Sequence, residues 1–149
     1  MHHLTTQKAN DMFAPAYAAS PFGRRQTYQE VQVSTGVDGA SPHQLIAMLY
    51  DGLNDCIAQA RGAIRAGNIE LKGRSIGRAV RIVEEGLKAG LNLKEGGALA
   101  ASLNDLYAYM ALRLTQANLR SDEAALEECA QLLEPLRSAW AEISMKTAA

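Results

Sequence analysis

Few side chains in this sequence have the chemistry for catalysis or metal binding: His2, His3, His43, Cys56, Cys129 and the acidic pairs Glu84-Glu85 and Glu127-Glu128. A zinc site needs cysteines and histidines at close ligand spacing, such as CxxC. Cys56 and Cys129 are far apart in the chain with no histidine at ligand spacing, so they read as small buried residues in a reducing cytosol. A Ser-His-Asp or Cys-His nucleophile needs a histidine base. His43 falls in the first turn of a helix and reads as a solvent-facing residue near a cap. The Glu-x-x-His spacing of a di-iron bundle does not occur. Adjacent acids on a helix point about 100° apart and cannot converge on one substrate, so both Glu pairs read as solvated faces. The expectation is a protein that is not an enzyme, with no catalytic residue, no metal and no cofactor.

The elements that carry these residues are helices. Ser41-Pro42-His43-Gln44 spells a helix start: Ser41 at N-cap, Pro42 at N1 where a missing N–H costs nothing, and Gln44 at N3 to complete a capping box. The helix then runs to Ala66, and Gly67-Asn68 closes it, glycine as C′ and asparagine as cap of the next helix. Its apolar surface is wide. Leu45, Leu49, Gly52, Cys56 and Ala63 share one heptad stripe, and Ile46, Tyr50, Leu53, Ile57, Ala60 and Ile64 share the next. A bundle helix needs one apolar face of about 100°; the surplus must meet a third neighbour in the fold, or a partner.

A second helix is expected over 69–91, with Ile69, Gly73, Ile76, Val80, Val83, Leu87 and Leu91 inward and Lys72, Arg74, Arg78, Arg81 and Lys88 solvated. Four glycines weaken it by about 1 kcal/mol each relative to alanine, unless one, such as Gly86, permits close helix approach. Asn92 to Gly97 is a turn and not a phosphate loop, because no strand precedes it and no GKS/T follows. A third helix over 98–119 has Leu99, Leu103, Leu106, Met110 and Leu114 as its seam, leaving Tyr107, Tyr109 and Leu112 as a second apolar surface. A fourth, from Ser121-Asp122 to Ile143, uses Leu126, Cys129, Leu133, Leu136, Trp140 and Ile143; Pro135 implies a kink or a short break after Leu132. Four helices of about 20 residues on short turns give an all-α, antiparallel up-down four-helix bundle.

Residues 1–27, with Pro15 and Pro21 among Ala, Ser and Thr, read as a mobile N-terminal arm, and 28–146 as the bundle domain. The bundle domain opens with a short apolar segment carrying Tyr28, Val31 and Val33. Lys8, Asn10 and Asp11 interrupt any signal-peptide core, and no apolar run approaches the ~20 residues that span a bilayer, so no membrane insertion is expected. Charged residues make up 21% and the net charge is −1, a whole-chain balance that does not suggest the basic face a nucleic-acid partner demands. What remains is a bundle with apolar surface to spare, suited to capturing an amphipathic segment.

Ala40 to Gly52 resembles the opening of the flagellar secretion chaperone FliS family, as does the preceding Tyr28…Val31…Val33…Thr35. Gly96-Gly97, Leu103, Leu106-Tyr107-Ala108-Tyr109, Arg113-Leu114 and Ala117-Asn118 are similar to that family's third helix, and Leu136-Arg137-Ser138-Ala139-Trp140 to its C-terminal end. The resemblance covers about residues 28 to 143. It implies a chaperone of the bacterial cytosol that binds the C-terminal segment of flagellin, prevents early polymerisation and meets a component of the flagellar type III export gate. It further implies that Tyr28 and Val31 form a lid over part of the groove. The expected partner-facing residues are Ile46, Tyr50, Leu53, Ile57, Tyr107, Tyr109, Leu112 and Gln116, on a monomer or weak dimer. The alternative is a structural or regulatory bundle that self-associates through the same face.

Overall fold

The computed structural model describes residues 39–148. Among these residues the chain forms α1 (Pro42–Ala66), α2 (Ile69–Arg81) continued by a π-helical segment (Ile82–Lys88), α3 (Gly97–Arg120) and α4 (Glu123–Ala148), with no strand. The expected arm over 1–27 and the apolar segment with Tyr28 and Val31 lie outside the described residues.

Local chemistry sets the helix ends. Ser41 Oγ accepts from Gln44 N (3.1 Å) while Ser41 N donates to Gln44 Oε1 (2.9 Å), the full capping box. At the other end Gly67 takes φ 69°, and Gly67 N and Asn68 N donate to Ile64 O and Ala63 O. This is a Schellman closure that favours glycine, since a Cβ is strained in the left-handed region. Asn68 Oδ1 then accepts from Leu71 N (3.1 Å) and starts α2. Asp122 Oδ1 does the same for α4, accepting from Ala125 N (3.3 Å).

Short connections force consecutive helices antiparallel. α1 packs between α2 and α4, and α3 closes the ring against the same two. The result is the expected all-α bundle. Its core is one cluster that includes Ile46, Leu53, Ile57, Ile76, Val83, Leu87, Tyr107, Met110, Leu114, Leu126, Cys129 and Leu133. Both stripes of α1 are buried except for the partly buried Gly52 and Ile64, because α1 meets α2 and the π-helical segment on one side and α4 on the other. Two helices, α2 with its π-helical continuation and α4, thus cover most of that width within the fold.

Several seams differ from expectation. The second helix is not α-helical to Leu91. It changes to i→i+5 bonding, with Ala89 N donating to Glu84 O (3.0 Å). This winding buries Val83, Gly86 and Leu87, and Gly86 is a point of close approach: a Cβ there would lie 3.1 and 3.2 Å from the Leu49 methyls. Ile69 and Leu99, expected inward, are exposed, because each lies in the first turn of its helix, beyond the packed overlap. Tyr107 takes the core position, with Leu106 only partly buried. α4 runs continuously through Pro135, so of the kink or short break expected after Leu132 the break does not occur. Proline removes the N–H that would bond Gln131 O, but Gln131 and Pro135 are both on the exposed face, where water can serve that carbonyl. Buried Leu133 and Trp140 hold the helix on either side.

Among the described residues no helix is long and apolar enough to cross a membrane.

Candidate functional site

The eight expected partner-facing residues separate into two groups. Ile46, Tyr50, Leu53, Ile57 and Tyr107 are at most 3% exposed and belong to the core. In this conformation they are not surface. Tyr109 and Leu112 are 41% and 54% exposed, and Gln116 is half-buried beside them. At about 100° per residue, Leu112 points directly away from the buried side of α3 defined by Leu103, Tyr107, Met110 and Leu114. Leu119, seven residues on, continues this line and is also exposed.

A polar network fixes one flank of that line. Tyr109 Oη donates to the Glu128 carboxylate of α4 (2.9 Å to Oε1), Arg113 Nε donates to Glu128 Oε1 (2.7 Å), and Arg113 Nη1 donates to Gln116 Oε1 (2.8 Å). Hydrogen bonds from Arg113 and Tyr109 hold the Glu128 carboxyl below its ordinary pKa, and the bond to Glu128 pushes the Tyr109 phenol up. At neutral pH the network therefore holds one carboxylate, one guanidinium and a protonated phenol. Leu112 projects beside it. An apolar anchor with a preset polar rim can receive an amphipathic segment without rearranging its own side chains. Glu128 is paired and not merely solvated. Its partner Tyr109 is 19 residues away on another helix, so no local spacing announces the pair.

The buried group is organised by aromatic rings. Tyr50 and Tyr107 hydroxyls are 2.7 Å apart, joining α1 to α3 across the core. Burial raises the Tyr50 phenol to about 12, so it stays protonated. Trp140 meets Tyr50 edge-on at 6.2 Å and donates from Nε1 to His43 O (2.9 Å). The His43 ring lies flat on Trp140, with centroids 4.3 Å apart at 9°. His43 is therefore not the solvent-facing cap residue expected; the first turn of α1 sets it against α4.

Among the described residues no group of three His, Cys, Asp or Glu side chains could hold a metal ion. Cys56 and Cys129 are free and buried, and desolvation raises both thiols, Cys129 to about 12. Neither is a poised nucleophile.

The family model described as flagellar protein FliS matches residues 24–147. The flagellar secretion chaperone FliS of Salmonella typhimurium is 46% identical over 121 residues, 81% of this chain and 90% of that protein. Flagellar secretion chaperone FliSB of Pseudomonas aeruginosa is 42% identical over 117 residues, 78% of this chain and 92% of that protein. The FliS of Vibrio cholerae is 34% identical over 121 residues, 81% of this chain and 88% of that protein. The family match spans the capping motif of α1, the α3 face and Trp140 together, and the chain belongs to the FliS family, a family of chaperones and not of enzymes.

Proposed function

We propose that this protein is a flagellar export chaperone that binds the C-terminal segment of flagellin in the bacterial cytosol, keeps it from polymerising and presents it to the flagellar type III export gate. The observation that carries the reading is the 46% identity to a flagellar secretion chaperone over nine-tenths of that protein's length. The physical fit lies on α3. A segment that is disordered when free loses chain entropy on binding, and an extended apolar surface repays that cost without a deep pocket. Tyr109, Leu112 and Gln116 are the contact residues in this reading. Ile46, Tyr50, Leu53, Ile57 and Tyr107 support the surface from within the core. Tyr28 and Val31 act as a lid released when the segment docks. No nucleotide chemistry is required.

Calorimetric titration with the C-terminal segment of its own flagellin tests the proposal. The expected result is a one-to-one complex with a large negative heat-capacity change, the signature of folding coupled to apolar burial. Absence of binding by a folded, monomeric protein would refute the flagellin assignment. A mass that grows with concentration and ignores flagellin would establish the self-associating bundle instead. For the lid, Tyr28→Ala with Val31→Ala is expected to change flagellin affinity; unchanged affinity would rule the lid out.

A further inference from the structure

One histidine is built into the fold apart from the residues assigned to partner contact. His43 Nε2 is buried with no hydrogen-bond partner among the described residues, on a ring stacked flat against Trp140. The same Trp140 bonds the His43 carbonyl through Nε1, so a single residue holds both the backbone and the side chain of α1's first turn. Tyr50 packs edge-on against the other part of that indole and is itself bonded to Tyr107 on α3. The stack thus ties three helices at one end of the bundle.

We propose that His43 and Trp140 form a proton-operated clasp between the first turn of α1 and α4, closed when the imidazole is neutral and loosened when it is protonated. Protonation turns Nε2 from a bare acceptor into a charged donor. Among the described residues that donor has no acceptor within reach, and a buried charge without a partner is strongly disfavoured. The N-terminal end of α1 adds a positive helix dipole to the same place. The indole face offers some compensation by cation–π attraction. Desolvation prevails, and the imidazole is held below its ordinary pKa.

The charged neighbours do not reverse this. On α1 and α4, Asp51, Arg137 and Glu134 bond to one another, with Arg137 Nη2 on Asp51 (2.9 Å) and Nη1 on Glu134 (3.0 Å). On the π-helical segment, Glu84 pairs with Lys88 (3.7 Å) and Glu85 with Arg81 (3.4 Å). On α3, Arg113 is bound to Glu128 of α4 (2.7 Å). Glu142 of α4 is exposed to solvent. Among the described residues no carboxylate is within ion-pair distance of His43. The sign follows: a histidine whose folded pKa is depressed binds its proton more readily in the unfolded chain. Stability is then full above the ordinary histidine value of about 6.5 and falls as the pH drops through and below it.

Trp140 is the only tryptophan in the chain, so no other indole contributes to its emission. We would follow it between about pH 8 and pH 5 in the full chain, alongside the titration of the His43 ring by NMR. The expected result is a one-proton change in Trp140 emission with a midpoint below about 6.5, matched by the His43 resonances. His43→Phe, which keeps the stack and removes the proton site, should abolish the change. It should also lose about 2–4 °C less Tm than the unmodified protein on acidification. A flat emission profile, a His43 midpoint at or above 6.5, or the same transition in His43→Phe would each overturn the proposal. If His43→Phe does not fold, the NMR titration of the unmodified chain still decides it.

Discussion

At the α1–α4 junction, Tyr50, Tyr107 and Trp140 are at most 6% exposed and satisfy one another through a hydroxyl pair and an edge-on ring contact. On the outer face of α3, two turns or less from Tyr107, Tyr109 and Leu112 are 41% and 54% exposed, and Tyr109 is held by a charged network instead of by packing. Both regions draw on a tyrosine of α3, Tyr107 in the first and Tyr109 in the second. In the first, a neighbour on each side encloses them. In the second, only one helix edge reaches them, and their polar atoms are tied down while the apolar surface stays free. A residue's type does not say which fate it meets; the number of helices around it does.

That contrast can be broken by substitution. Leu53→Ala, in the enclosed region, is expected to cost about 2–5 kcal/mol in chemical denaturation, through lost burial and the cavity left behind. Tyr107→Phe is expected to cost about 1–3 kcal/mol, because it strands the buried Tyr50 hydroxyl. Adding Tyr50→Phe should then cost less than the sum of the two single changes, which a double-mutant cycle measures. Equal and additive losses would mean that the hydroxyl pair contributes nothing specific.

Leu112→Ala, on the open face, should change stability by no more than about 0.5 kcal/mol. It should nonetheless weaken flagellin binding by about tenfold, equivalent to about 1.4 kcal/mol. A large stability loss with unchanged affinity would move Leu112 into the enclosed class. The smallest effect concerns pH. The Glu128 carboxyl is depressed by Arg113 and Tyr109. Its contribution is therefore present above the ordinary glutamate value of about 4.3 and lost as the pH falls through its folded value. Glu128→Gln should flatten the acid limb of the stability profile in that range and leave neutral stability little changed, since the group is exposed.

The two regions also show how far the sequence could be read. The α3 surface was partly legible: Tyr109 and Leu112 fall off any consistent 3.6-residue seam, and they are exposed. Tyr107 is buried although the periodicity favours Leu106, because the two are adjacent and either can start an apolar line through Met110 and Leu114. The choice depends on the angle at which α3 meets its neighbours. The same holds for α1. Its two apolar stripes announced extra contact area, but periodicity cannot count the helices that will cover it. The Glu128 network and the His43–Trp140 stack, at separations of 19 and 97 residues, had no local signal.

What the sequence determined by itself is everything set by neighbours within a few positions. Ser41 and Gln44 close a capping box, Gly67 supplies a left-handed residue and Asn68 restarts the chain, because each bond spans three to five residues. Helix number, order and antiparallel connection follow from those ends and the shortness of the turns. Tertiary structure alone decided which apolar stripe became core, why the end of the second helix winds as a π-helix with Gly86 against Leu49, and why Pro135 does not break α4. Those outcomes depend on contact between side chains distant in sequence, where close packing selects one arrangement among several that local propensity permits equally.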